Sequence, residues 1–290
     1  MVCKFSIKDL EKLSGIKAHT LRIWEQRYGI LKPQRTDTNI RWYCNDELKN
    51  ILNVSLLNNH GYKISKIAEL NKEEIAAEVS KIVNSEITEC EQVSNLIISM
   101  VEMDEQRFEK IISNQILKKG VSNTIEEVVY PFLKKIGVMW QTGSINIAQE
   151  HFIVNLIRQK LISAIDGVMA PENPKKKKFI LFLPEGELHE LSLLYYHYIL
   201  KANGHSVIYL GQSVPVADLE MVYEIRNPDY IVSVLTHGTA SPESYLNDLS
   251  KAFPKAKLLL SGSQLLDQGF KLPKNVELFK CHKSLKELIA

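Results

Sequence analysis

Phe179-Ile180-Leu181-Phe182-Leu183 runs straight into Pro184-Glu185-Gly186-Glu187-Leu188-His189-Glu190-Leu191-Ser192, and this junction decides the fold of the C-terminal part of the chain. Five consecutive apolar residues suit a strand buried on both faces. The residues that follow, through Tyr195, Tyr196, Ile199 and Leu200, carry a helical pattern. A histidine between the two lies on a loop at the carboxyl end of a strand, where open α/β sheets place their ligands. Imidazole is the commonest metal-ligating side chain, and a nearby carboxylate such as Glu187 orients it. Taken alone, the motif reads at least as readily as a surface histidine with an ordinary hydrogen bond.

Outward from that junction the pattern alternates. Strands are expected at 178–183, 206–210, 229–235, 257–261 and 276–279, with helices at 190–203, 216–226 and 241–252. Five strands with intervening helices indicate a flavodoxin-like (Rossmann-like) α/β domain with a doubly wound parallel sheet. No GxGxxG follows the first strand, which argues against a dinucleotide enzyme. The preceding Pro171-Glu172-Asn173-Pro174-Lys175-Lys176-Lys177-Lys178 reads as a linker. Its lysine run is taken as a solvated hinge, with a DNA contact as the alternative.

From about Lys72 to Met169 the sequence is helical almost throughout. Ile87, Cys90, Val93, Leu96, Ile97 and Met100 recur at helical spacing, and Asp104 caps a helix that ends at Gly120. Ser122-Asn123-Thr124 followed by Glu126-Glu127 is an N-cap signal for a helix to Met139, with a kink expected at Pro131. A last helix is expected at 146–168. Four helices with short connections make a bundle. Trp140 ends one helix and Glu150-His151 open the next across a Gly-Ser turn, which gathers an indole, a carboxylate and an imidazole at one mouth of the bundle.

The N-terminal segment reads as an all-α helix-turn-helix with a wing. Ser6 caps a short helix with Ile7, Leu10 and Leu13 inward, and Gly15 ends it. The next helix turns Leu21 and Trp24 inward and Lys17, His19, Thr20 and Arg22 outward. Such a second helix enters the major groove. Residues 31–43 form a small hairpin turning at Asp37-Thr38-Asn39, and its Arg35 and Arg41 suit phosphate contact. Asn45-Asp46-Glu47 is expected to cap the following helix.

Bulk composition agrees. The chain has 290 residues, 45% hydrophobic and 24% charged, with net charge +2. Residues 1–45 nevertheless hold nine Lys/Arg against four Asp/Glu, a basic module on a near-neutral chain. Cys3, Cys44, Cys90 and Cys281 are scattered, as reduced thiols of a cytoplasmic protein would be. No leader or membrane span is recognisable, so a cytoplasmic protein without membrane attachment is expected.

Three sets of residues carry family resemblances. Leu21-Arg22-x-Trp24-Glu25, Tyr28-Gly29-Ile30-Leu31, Pro33, Arg35 and Arg41-x-Tyr43 resemble the winged helix of the mercury-resistance regulator (MerR) family. The resemblance implies base contacts from His19 and Arg22 and phosphate contacts from Tyr28, Arg35, Arg41 and Tyr43, with a place in the wing core as the alternative for Tyr43. It also implies dimers on palindromic operators. Trp140, nine residues, then Glu150-His151 resembles the bundle of CarH/LitR-type light-sensing regulators, in which the bundle covers the upper face of adenosylcobalamin. Glu187-Leu188-His189, Ser233-Val234-Leu235 and Gly262-Ser263 resemble cobalamin-binding domains of the methionine-synthase type. That resemblance implies His189 as lower cobalt ligand, Glu187 as its orienting partner, and Ser192, Ser233, Leu235, Gly262 and Ser263 along the slot for the nucleotide tail. Ser192 and Ser263 stand where the family has glycine, and Gln141 stands where one member has a histidine.

The expected organisation is a winged helix at 1–75, a helical bundle at 80–170 and a cobalamin-type sheet domain at 177–290. The expected function is a DNA-binding repressor and photoreceptor, not an enzyme, that holds adenosylcobalamin between bundle and sheet and forms dimers or tetramers. The alternative is a cobalamin-independent regulator whose C-terminal domains serve oligomerisation or an antirepressor protein. A methyl-donating corrinoid protein is the enzymatic rival, and the basic N-terminal reader argues against it.

Overall fold

In the computed structural model, which describes residues 5–36, 39–83, 89–141, 145–169, 172, 174–236, 241–266 and 271–289, capping sets the first elements. Ser6 and Asp9 form a reciprocal capping box at the start of α1 (Ile7–Ser14), and Gly15 ends it with φ 76°. After α2 (Ala18–Tyr28), β1 (Gln34–Arg35) and β2 (Arg41–Trp42) pair antiparallel as the wing, with Asn39 at φ 63° in the turn. Asp37 and Thr38 of that turn lie outside the described residues. Phe5 and Tyr43 exchange backbone hydrogen bonds of 2.9 Å, tying the start of the chain to the foot of the wing.

Next come α3 (Asn45–Asn59), α4 (Ile64–Ile67) and α5 (Lys72–Val83). The expected cap of α3 is displaced: Cys44 holds the N-cap position without a side-chain bond, and Asn45 is already helical. Glu47 instead reaches across to accept the Lys32 N–H at 2.8 Å. Leu10, Leu13, Leu21, Leu48, Ile51 and Leu52 close the core of this region, each at most 2% exposed.

The helical region continues with α6 (Glu89–Glu102), α7 (Glu105–Thr124), a π-helical turn at Ile125–Val129, α8 (Tyr130–Gln141) and α9 (Ile147–Asp166). Asp104 caps α7 as expected, its carboxylate accepting the Arg107 N–H. Ser122, Asn123 and Thr124 do not cap a new helix. Gly120 breaks α7 with φ 79° and ψ 170°, and the Thr124 hydroxyl donates back to its carbonyl at 2.8 Å. The π-turn lies directly ahead of Pro131, where a normal helical ladder loses an N–H donor. Phe108, Phe132, Leu96, Ile97, Met100 and Ile153 are fully buried here.

The chain divides into two units, Met1–Leu156 and Ile157–Ala290, and α9 contributes residues to both. The second unit is the sheet. Its elements are β3 (Lys178–Pro184), α10 (Leu191–Ala202), β4 (Ser206–Val214), α11 (Val216–Arg226), β5 (Tyr230–Val234), α12 (Pro242–Ala252), β6 (Lys257–Ser261), β7 (Val276–Leu278) and α13 (His282–Ile289). All pairings are parallel, in the order β4-β3-β5-β6-β7. The first strand of the sheet therefore sits between the second and third, and its carboxyl end is the switch point of the topology.

The register places Phe182, Ser233 and Leu260 side by side. On that face Ile180, Phe182, Ile231, Leu258 and Leu260 pack with Leu219, Leu246, Leu249 and Phe253. Each such buried side chain is worth about 1.5–3 kcal/mol relative to exposure. Strand β4 outruns the expected 206–210 because shifts in its pairing with β3 extend it, with Gly211 at φ 82° and Ser213 at φ 53°. That extension carries Gln212 and Ser213 beneath the loop that follows β3.

Candidate functional site

The loop after β3 begins with a turn that demands glycine. The Glu187 N–H bonds the Pro184 carbonyl at 2.9 Å, and Gly186 takes φ 81°. This turn drives the Glu187 side chain inward, where it is 1% exposed. One carboxylate oxygen accepts the Leu188 and His189 N–H groups, both at 3.0 Å, and the His189 Nδ1 at 2.6 Å. The other accepts the Thr236 N–H and hydroxyl, both at 2.7 Å. A carboxylate has about four lone-pair positions, and donors surround this one. Because it only accepts, His189 Nδ1 carries the proton, and the lone pair is left on Nε2. The imidazole side chain is 65% exposed. A ring fixed at one nitrogen and presenting the other outward is the arrangement of a ligating histidine with its orienting partner.

Thr236, absent from the sequence expectation, also stands 3.1 Å from His189 Nδ1. Gln212 and Ser213 complete the support: the Gln212 amide donates to the Leu188 carbonyl at 2.6 Å, and Ser213 Oγ accepts the Gly186 N–H at 3.1 Å. Glu190, 7% exposed, pairs with Arg158 of α9 and accepts the Tyr209 hydroxyl at 2.9 Å. Burial, together with that acceptor, pushes the Tyr209 phenol well above its usual range. Among the described residues no group of three or more His, Cys, Asp or Glu is placed to hold a metal ion. His189 offers a single imidazole.

The residues expected along the nucleotide slot fall into two kinds. Ser233 is fully buried, and its hydroxyl has no hydrogen-bond partner among the described residues. Such a group costs about 1–3 kcal/mol unless a partner arrives, and a polar ligand edge would supply one. Leu235 is also fully buried, its N–H donating to the Ser261 carbonyl at 2.8 Å. Gly262 has φ 113°, and a Cβ there would lie 2.1 Å from the Leu235 carbonyl oxygen. Close packing of two backbones within the domain already requires this glycine. Ser263 is exposed and donates to the Thr236 carbonyl at 3.2 Å, and Ser192 is half-buried at the start of α10. Neither the orphaned Ser233 hydroxyl nor the outward Ser263 opposes a bound nucleotide tail.

On the helical unit, Trp140 is 46% exposed, His151 exposed and Glu150 half-buried. Asn146 and Gln149 exchange hydrogen bonds of 2.9 and 3.2 Å at the start of α9, and Gln149 also donates to the Val101 carbonyl at 3.2 Å. This sets the first turn of α9, on which Glu150 and His151 ride. The Gly-Ser turn before it and the Gln141 side chain lie outside the described residues.

In the winged helix, Lys17 at the N-cap of α2 and His19 and Arg22 on the helix are exposed, with Thr20 and Tyr28 half-buried. Ile23, 51% exposed among them, is an apolar member of this face that the sequence expectation omits. Arg35 is exposed on the wing and donates to Asn39 at 2.6 Å, and Arg41 pairs with Glu25 at 3.1 Å. Tyr43 corrects the expectation. It is 0% exposed, and its hydroxyl donates to Glu25 at 3.0 Å, so it belongs to the wing core and reaches no phosphate. Burial first, and then the Glu25 carboxylate, raises its phenol far above the usual range. Tyr43→Phe is expected to lower the stability of the winged helix by about 1.5–3 kcal/mol, the worth of a hydrogen bond to a charged group, and to leave the salt dependence of DNA binding unchanged. Urea unfolding and DNA titration at several salt concentrations check both parts.

The family described as MerR HTH family regulatory protein matches residues 5–74, and the B12 binding domain matches residues 92–163. The chain is 27% identical over 259 residues to the HTH-type transcriptional repressor CarH of Myxococcus xanthus, covering 87% of this chain and 86% of that protein. It is 27% identical over 262 residues to the repressor CarA of the same organism, covering 88% and 85%. Among solved structures, the monomethylamine corrinoid protein of Methanosarcina barkeri superposes with a TM-score of 0.52 at 15% identity, over 66% of this chain and 93% of that one, a likeness of fold. The chain is thus a homologue of the CarH and CarA repressors: a transcription regulator with a MerR-type DNA-binding region and a B12-binding domain.

Proposed function

We propose that this regulator is controlled by adenosylcobalamin and that light is its signal. The observation that carries the reading is the Glu187–His189–Thr236 cluster at the switch point of the sheet: a buried, donor-saturated carboxylate holding one nitrogen of an exposed imidazole. Adenosylcobalamin, when bound, would supply a cobalt centre that accepts an imidazole ligand and a cobalt–carbon bond that light breaks.

The chain's own residues do the rest. His189 Nε2 would hold the cobalt, while Glu187 keeps the Nδ1 proton in place and so keeps Nε2 basic. Thr236 fixes the second oxygen of that carboxylate. The Ser233 hydroxyl would find a partner on the nucleotide tail, and Leu235, Gly262, Ser263 and Ser192 would border it. Trp140, Glu150 and His151 would cap the adenosyl group and shield it from water. In the winged helix, Lys17, His19, Thr20 and Arg22 face bases, with Tyr28, Arg35 and Arg41 on phosphates. Dimers or tetramers on a palindromic operator are part of this reading. Ligand binding shifts the assembly only by its differential affinity for the two states, which sets the size of the response.

The test is an absorbance spectrum after incubation with adenosylcobalamin in the dark and desalting, repeated after green light. A retained corrinoid spectrum that changes on illumination is expected, together with weaker operator binding in the light. A retained spectrum without any effect of light on DNA binding removes light as the signal. A colourless protein removes the cofactor and leaves the sheet unit as a platform for oligomerisation or an antirepressor protein.

A further inference from the structure

All five strands run parallel, so the residues that lead into them gather on one edge of the sheet, opposite the His189 loop. Lys176 and Lys177 lead into β3, Arg226 ends α11 just before β5, Lys255 leads into β6 and Lys274 into β7. All five are exposed. Two carboxylates on this edge are engaged locally: Asp229 accepts the Lys178 N–H at 2.8 Å, and Glu277 pairs with Lys257. At the carboxyl edge, by contrast, stand Glu185, Glu187 and Glu190. Arg226 is accounted for by the dipole of the helix it ends, but the lysines of the strand-leading loops lie on no helix.

We propose that this amino-terminal edge is a second DNA surface, one that grips phosphates of duplex DNA without reading bases. Strands β3, β5, β6 and β7 are adjacent, so their leading residues span about 15 Å at the usual strand spacing, a length along which duplex DNA carries about nine negative charges. A row of flexible lysines on a rigid edge matches that array and carries no sequence preference. The inference rests on DNA binding by the winged helix, which brings the chain to DNA in the first place.

The experiment uses the full chain and a variant with Lys176→Gln, Lys177→Gln, Lys255→Gln and Lys274→Gln, whose thermal midpoint is checked against wild type. An operator selected from a random duplex pool is tested both trimmed to its minimal length and embedded in long neutral flanks. Wild type is expected to bind the flanked duplex more tightly and with a steeper salt dependence than the minimal one. The variant is expected to lose about tenfold on the flanked duplex near 0.1 M salt. Its slope of log affinity against log salt should fall by about 0.9 for each phosphate that is no longer neutralised, with its affinity for the minimal operator unchanged. Equal slopes for the two proteins on the flanked duplex overturn the proposal. So does an equal loss on both duplexes, which places the effect in the winged helix or in the fold. Unchanged DNA binding with lost retention of polyglutamate overturns it in favour of an acidic protein partner.

Discussion

His189→Ala is expected to weaken cobalamin binding by about 100-fold or more, because partners that merely orient a metal ligand are already worth 10–100-fold. The side chain is 65% exposed and its removal leaves no cavity, so the sheet unit stays folded and DNA binding by the winged helix is preserved. Glu187→Gln makes the complementary case. The carboxylate is 1% exposed and surrounded by donors, so an amide NH2 group in its place must face either the Leu188 and His189 N–H groups or Thr236. Cobalamin affinity is expected to fall by about 10–100-fold, and the apo protein to lose stability as well. Titration followed by absorbance, with urea unfolding of the apo protein, separates the two effects. A His189→Ala protein that binds cobalamin as tightly as wild type would show that the ligand is elsewhere.

Gly262→Ala is expected to destabilise the sheet unit by about 4 kcal/mol or more, among the largest effects of a single methyl group. A Cβ there would lie 2.1 Å from the oxygen, 2.5 Å from the carbon and 2.7 Å from the nitrogen of Leu235, all of them backbone atoms of a fully buried residue. No side chain can rotate away, and φ 113° adds strain for any residue with a Cβ. Gly186→Ala is the control: φ is 81° but nothing lies within 4 Å, so only the conformational cost of about 1–2 kcal/mol is expected. Hydrogen exchange of the β5 and β6 amides reads the sheet unit alone. Native protection in Gly262→Ala would mean that the β6 loop and Leu235 are not packed in this way.

What the chain's own sequence determined is everything that depends on near neighbours. The period of the apolar residues specified helix or strand, and the parallel sheet followed from their alternation. Ser6, Gly15 and Asp104 marked helix ends that the structure keeps, because capping acts within three or four residues. Glu187 and His189 are two residues apart, so their pairing was legible too. Asn45 and Thr124 misled for the converse reason: their local cap preference gave way to the Lys32–Glu47 bond and to the break at Gly120. Only the tertiary structure decided which distant loops meet. Thr236 joins the cluster from 49 positions beyond Glu187, brought there because parallel strands deliver their carboxyl ends to one edge. The wing packs Tyr43 inward, the alternative the motif left open, and its partner there, Glu25, comes from a helix 18 positions earlier. Gly262, read as a ligand-facing glycine, is also required by a contact between two backbones that the motif does not show. Periodicity records which way a side chain faces, but close approach between segments is set by the packing of the whole domain.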